Sequence, residues 1–300
     1  MKNRRGDSET RRHGDERPFL RAAASARPSA PLITLLTDFG TADYFVAAVK
    51  GVILGANPAA RIVDITHDIP PHDIEAAAFT LLAAYSSFPP GTVHVAVVDP
   101  GVGSERRPIL MKLGDQYFVG PDNGVFSYVR EKHETSGEAA ELFHLTNQKY
   151  FRHPVSATFH GRDVFAPVAA ALSLGVQPDE LGTETVEFVH LASLQPMTGD
   201  DGKLTARIIH IDRFGNCVTN LTQDDLTAEI IAAGAILRIN GKSVRSFRNY
   251  FAEETASRHK LFAIWGSAGF LEIAATNESA AKLLKAKRGD AVIVSQFGVR

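Results

Sequence analysis

Four side chains stand out for the chemistry that they could do together. Asp99 closes the apolar run Val93-His94-Val95-Ala96-Val97-Val98 and opens Asp99-Pro100-Gly101-Val102-Gly103, with Arg106 and Arg107 just beyond. A carboxylate where a buried strand emerges into a tight glycine turn occupies the place where open α/β sheets hold their ligands. A guanidinium nearby supplies permanent positive charge. His160, in Phe159-His160-Gly161-Arg162-Asp163, adds an imidazole at the mouth of an expected helix. Asp38, in Thr37-Asp38-Phe39-Gly40, is a second strand-end carboxylate, suited to accept two hydrogen bonds from a ribose diol.

Each of these residues also has a plain structural reading. Asp99 and Asp38 can cap turns, the arginines can be solvated beside Glu105, and His160 can satisfy backbone groups. Asp212 and Asn216, framing Phe214-Gly215, can form no more than a β-turn. His67-Asp68 and His72-Asp73 contain ligand types, but their spacing matches no strong metal signature. Pro70-Pro71 between them predicts a rigid loop, with Asp73 capping the following helix. No metal is assigned. Gly101-x-Gly103 lacks the third glycine of a dinucleotide fingerprint.

The elements that must position these groups read as an α/β fold. Short apolar strands at 32–36, 62–65 and 93–98 alternate with helical patterns at 43–54 and 74–85, predicting a mostly parallel sheet flanked by helices with right-handed crossovers. A hairpin is expected over 109–119, a polar loop over 130–141, and a helix after Asp163 ending at Gly175. From about 204 the texture changes to short alternating strands at 204–211, 235–239, 261–265, 270–274 and 291–294, the pattern of a small β-sandwich or barrel. The expected organisation is a disordered tail over 1–30, an N-terminal α/β domain over 31–190 and a C-terminal β domain over 191–300.

Composition sets the outer limits. The chain has 300 residues, 44% of them hydrophobic and 22% charged, which fits an ordinary soluble globular protein. A formal net charge of −2 gives no electrostatic reason to expect nucleic acid or an anionic membrane as a partner. No apolar run reaches the roughly 20 residues that span a bilayer. The single cysteine, Cys217, excludes an internal disulfide framework and fits a reducing cytoplasm.

Seven motifs then follow one another in a specific order. Thr37-Asp38-Phe39-Gly40, Asp64-Ile65-Thr66-His67, Val98-Asp99-Pro100-Gly101-Val102-Gly103 and Pro121-Asp122-Asn123-Gly124 lead to Phe159-His160-Gly161-Arg162-Asp163, Ile211-Asp212-Arg213-Phe214-Gly215-Asn216 and Gly266-Ser267. In this the chain resembles the S-adenosyl-L-methionine hydrolases (adenosine-forming), also called hydroxide adenosyltransferases, which are relatives of the fluorinases and chlorinases. The resemblance spans everything after the N-terminal tail. It implies cleavage of S-adenosyl-L-methionine by water, without a cofactor, and a homotrimer with substrate at the subunit interfaces. It also implies that Asp99, Arg106 and His160 are catalytic, that Asp38 binds ribose, and that Asp212, Asn216 and Ser267 contact methionine and adenine.

Those roles make chemical sense. A sulfonium leaves without protonation, so the difficulty is to place water in line with the ribose C5′ and make it more anionic. Asp99 and His160 would hold and polarise that water, either one taking its proton, while Arg106 favours hydroxide character. A 5′-halogenase is the nearest rival, but the short segment 103–117 leaves no room for the extra loop of those enzymes, and Asp99 is charged. A silent nucleoside or S-adenosyl-L-methionine sensor on the same fold is the third possibility.

Overall fold

In the computed structural model, residues 31–135, 137, 139–199, 203–253 and 260–296 are described. The tail expected over 1–30 lies outside them. The first half of the chain runs β1 (Leu32–Thr37), α1 (Phe45–Ala56), β2 (Arg61–Thr66), α2 (Ile74–Ala84), β3 (Val93–Val97), β4 (Pro108–Leu113), β5 (Gln116–Pro121), α3 (Ser127–Thr135), β6 (Glu141–His144), α4 (Ala166–Ser173), α5 (Pro178–Leu181) and β7 (Thr183–Glu184). Its seven strands form one sheet in the order β2-β1-β3-β5-β4-β6-β7. The pairs β1–β2, β1–β3 and β3–β5 are parallel, and β4, β6 and β7 extend the sheet antiparallel.

β3 is buried along its whole length because both faces of the sheet are covered. Val93, Val95 and Val97 pack toward α1 and α4, with Val49, Ile53, Val168 and Ala169. Ala96 and Val98 face α2 and α3, with Ala77, Leu81 and Tyr128. Strand alternation puts these two sets on opposite faces. His94 is a core histidine: it is bonded to Thr34 Oγ1 at 2.8 Å and stacked on Phe118, and burial lowers its pKa to about 4. Asp73 caps α2 as expected, accepting the Ala76 N–H at 3.0 Å. The polar stretch predicted as a loop from Arg130 is instead helical through Thr135. That helix is anchored by Ser127, Tyr128 and Val129, just before the polar run, and an Arg130–Glu134 pair at 2.7 Å closes its exposed turn.

The second half contributes β8 (Met197–Thr198), β9 (Leu204–Ile211), β10 (Cys217–Thr219), α6 (Ala228–Ala232), β11 (Ala235–Ile239), β12 (Lys242–Val244), β13 (Phe247–Arg248), β14 (Leu261–Trp265), β15 (Leu271–Ala275), α7 (Ala280–Leu284) and β16 (Ala291–Gln296). The order is β12-β11-β16-β9-β10-β15-β14-β13, with β8 beside β9. Val244 near one end and Ala263 near the other share a core with Ile208, Leu237, Ile273 and Val292, so the sheet curls over its own apolar face.

The two sheets meet where β9 crosses α2. His210 stacks on Phe79 with centroids 4.9 Å apart. Glu75 Oε1 accepts from Arg207 Nη1 at 2.5 Å and from the Tyr128 hydroxyl at 2.9 Å. Arg288 reaches across to Asp73 at 2.6 Å. Burial opposes ionisation of Glu75, but the hydrogen bonds from Arg207 and Tyr128 outweigh it and hold the carboxyl below 4.5. Replacing Arg207 by Met should cost about 1–3 kcal/mol in urea unfolding near pH 7, because Glu75 and Tyr128 lose a shared partner. A carboxyl with a depressed folded pKa stabilises the fold above its ordinary value and loses that contribution as pH falls. The gap between variant and wild type should therefore shrink below pH 4.5, the ordinary glutamate value.

Candidate active site

Chain direction reverses where β3 ends. The Val102 N–H donates to Asp99 O at 3.2 Å and the Ser104 N–H to Gly101 O at 3.1 Å, winding residues 99–104 into two successive turns. Gly103 has φ +79°, and a Cβ there would lie 2.1 Å from the carbonyl oxygen of Ala157. Only glycine allows the loop to seat against the segment that carries His160.

The seated loop folds Arg106 back over Asp99. Arg106 Nε donates to Asp99 Oδ1 at 2.9 Å, and Nη2 donates to Oδ2 to complete the bidentate pair. The same Nη2 stands 2.7 Å from His160 Nδ1, and the guanidinium lies over the Phe165 ring. The side chains of Arg106 and Asp99 are only 9% and 5% exposed. A guanidinium has no lone pair to offer, so Nδ1 of His160 must accept and the neutral ring carries its proton on Nε2. Burial, and then the charge of Arg106, lower the pKa of His160, with Asp99 and Asp163 opposing. Neighbouring Arg107 does something different. It donates to Asp122, whose other oxygen accepts the Val189 N–H at 2.8 Å, and it pairs with Glu187, so it ties loops together away from Asp99.

Asp38 is held from the other side. Its Oδ2 accepts the N–H of His72, a residue with φ +66°. Thr37 Oγ1 bonds His67 Nδ1 at 2.8 Å, His67 Nε2 faces Asp64 at 3.2 Å, and the Gly40 N–H donates to His67 O. The His67-Asp68 and His72-Asp73 pairs are thus spent separately: His67 locks the turn of Asp38, and Asp73 caps α2. Among the described residues, no three His, Cys, Asp or Glu side chains stand together as ligands for a metal ion.

Asp38, Asp99 and His160 line one cavity of about 280 Å³. Its apolar wall is Phe39, Phe45 and Phe159, packed edge to face or tilted, with Tyr44 exposed at the rim. Arg106 stands behind Asp99. The remaining residues implied by resemblance are elsewhere in the chain. Asp212 is used within its own turn, accepting the Phe214 and Asn216 N–H groups and the Asn216 side-chain amide. That turn directs Asn216 into a second cleft of about 540 Å³, which shares no lining residue with the first. Ser267 is exposed in the turn between β14 and β15 and lines neither. Two residues that the sequence reading passed over frame the second cleft: Phe214, 79% exposed, and Phe251, 54% exposed. For Phe214 the available signal was an aromatic side chain beside the glycine of a turn, whereas Phe251, which packs edge to face on Phe262, gave none.

Two family models match the chain: the SAM hydroxide adenosyltransferase N-terminal domain over residues 33–182 and the corresponding C-terminal domain over 206–293. The chain belongs to this family. It is 38% identical over 265 residues to the (R)-S-adenosyl-L-methionine hydrolase of Methanocaldococcus jannaschii, covering 84% of this chain and 91% of that one. It is 28% identical over 243 residues to a fluorinase of an Actinoplanes species, covering 72% and 80%. The crystal structure of an uncharacterized conserved protein from Thermotoga maritima superposes with a TM-score of 0.79 at 36% identity, covering 88% of this chain and all of that one.

The seating of Gly103 makes a direct prediction. Gly103→Ala should leave far-ultraviolet circular dichroism unchanged while lowering kcat by about 100-fold, the scale of loss when reacting groups are displaced by an ångström or so.

Proposed function

We propose that this protein hydrolyses S-adenosyl-L-methionine to adenosine and L-methionine. Water attacks the ribose C5′, the new C–O bond forms as the C5′–S bond breaks, and the bonding pair leaves on sulfur as a neutral thioether. The observation that carries this reading is the Asp99–Arg106–His160 cluster set on the wall of a small, aromatic-lined cavity whose other carboxylate is Asp38.

The geometry favours a division of labour. His160 has its lone pair committed to Arg106, so its Nε2–H serves as a donor that fixes an oxygen, and Asp99 is the group left to accept the proton of water. Arg106 spans both and keeps them aligned. Its charge and the burial of the ring hold His160 neutral near pH 7, which preserves the arrangement. Asp38, with one oxygen occupied by the His72 amide, has the other for the ribose hydroxyls. A sulfonium departs as a neutral thioether without help from a Lewis acid, so the reaction as written calls for neither metal nor cofactor.

Adenine and methionine are assigned to the second cleft, with Phe214 and Phe251 as stacking faces and Asn216 as a polar partner that Asp212 holds in place; Ser267, implied by resemblance, does not line that cleft. In one chain that cleft and the Asp99 cavity are separate, and both leave aromatic surface uncovered. A homotrimer that sets the second cleft of one copy over the Asp99 cavity of the next would complete the site. A cytoplasmic setting, with its supply of S-adenosyl-L-methionine and a reduced Cys217, suits this activity.

Purified protein in halide-free buffer should convert S-adenosyl-L-methionine to adenosine and methionine, followed by chromatography. Asp99→Asn should lower kcat by about 100-fold or more, within the range for loss of a general base, with a smaller change in KM. A 5′-halo-adenosine formed only when chloride or fluoride is added would move the protein to the halogenases, and tight binding without any product would make it a sensor. The pH profile follows from His160. A second proton must enter at Nδ1, against Arg106, so kcat/KM should fall on the acid side with a midpoint below 6.5, the ordinary histidine value.

A further inference from the structure

We propose that Asp163 is a positioning residue for this reaction: its buried carboxylate ties residues 152–158 to the helix that follows and so sets where His160 stands against Arg106. The inference rests on the hydrolase reading above. It starts from an oddity, a carboxylate with 0% exposure that touches none of the reacting groups.

Burying an ionised carboxylate is costly unless its oxygens are satisfied. Here four hydrogen bonds converge on Asp163. They come from the Ser156 N–H at 2.9 Å, Arg152 Nη1 at 3.1 Å, and Arg162 Nε and Nη2 at 2.7 and 2.9 Å. Its backbone carbonyl accepts the Arg152 N–H at 2.8 Å as well. Both arginines reach in from the partly exposed side, so the acid is the fixed centre to which the segment is tied.

The tie bears on the site in two ways. The segment between Arg152 and Asp163 presents Ala157 O to Gly103 and carries Phe159 and His160 into the cavity. Arg162, held by the same carboxylate, lies 5.0 Å over the Phe159 ring and fixes that wall. The helix also begins irregularly, with a π-type turn over Gly161–Phe165 ahead of α4. Such wide turns recur at functional sites. Here the π-type turn contains Asp163 at its centre, with the side chain directed inward. The 2.7 Å contact between His160 and Arg106 therefore depends on a group that touches neither reactant, through Ser156, Arg152 and the turn itself.

Asp163→Asn tests this with almost no change of shape, because the new amide would set a donor against donors. The folded variant should keep its circular dichroism and oligomeric size, lose about 10–100-fold in kcat, and change KM by less than about threefold. The acid limb of kcat/KM discriminates further. Arg106, Asp99 and Asp163 are the charged groups facing His160, and Asp163 raises its pKa, so loss of the charge alone would move the limb down. Displacement of the ring from its buried place beside Arg106 moves the limb up, toward 6.5, and that is the expected result. Arg162→Gln, which leaves Ser156 and Arg152 on the carboxylate, should shift kcat and the limb the same way by less, and carries the test if Asp163→Asn does not fold. A folded variant with wild-type kcat and limb, a limb that moves down, or a loss confined to KM would each overturn the proposal. Wild-type protein that forms no adenosine under the same conditions would instead sink the hydrolase reading.

Discussion

A guanidinium that can only donate, placed between a carboxylate and an imidazole, is the constraint on which the site depends. Arg106 uses its fork on Asp99 and shares Nη2 with His160, so three side chains from two distant loops are tied into one arrangement, with Nη1 of Arg106 left buried and unpartnered. With so little exposure, water cannot substitute for a lost partner, and an error in either loop leaves a buried charge uncompensated. The arrangement also fixes the protonation pattern. Nδ1 of His160 is committed, Nε2 carries the hydrogen, and the carboxylate is the acceptor that remains.

The rest of the fold can be read as holding those two loops at the right separation. Core strand β3 delivers Asp99 at a fixed height because it is packed on both faces. Gly103 then sets the approach of the loops by backbone contact with Ala157, which is less compliant than any side-chain contact. On the far wall, the Asp64–His67–Thr37 chain and the His72 amide hold Asp38. That wall is joined in turn to the second sheet, since Asp73 next to His72 pairs with Arg288 beyond β15. A loss of packing between the sheets would thus reach the cavity through α2 and its cap.

Much of this was legible in the sequence, and the parts that were not have physical reasons. A strand covered on both faces writes a continuous apolar run, which is why Val93 to Val98 could be placed without help. Asp73 as an N-cap, the Asn240-Gly241 turn between strands and the glycine stop at Gly175 follow from local backbone chemistry. The helix over Ser127–Thr135 was missed because its apolar anchor is confined to its first turn, so no 3.6-residue period develops in the polar remainder. The π-type turn at Gly161–Phe165 depends on tertiary ties to Asp163, which no local pattern encodes. Residue types alone did not distinguish the two adjacent arginines, and only the family resemblance pointed to Arg106. Arg106 turns inward and Arg107 toward Asp122 because a strand begins directly after them and alternate side chains leave on opposite sides.

The same geometry bears on which nucleophile the cavity suits. The Actinoplanes fluorinase is 28% identical over 243 residues, so likeness of chain alone does not choose between water and a halide. A halide entering this cavity would meet a net-neutral Asp99–Arg106 pair that turns its carboxylate, not its guanidinium, toward the cavity. The carboxylate is the less favourable end of that pair for an anion to approach. Water, being neutral, can donate to Asp99 and accept from Nε2–H of His160. The orientation of the ion pair thus favours a neutral nucleophile over an anionic one at this wall.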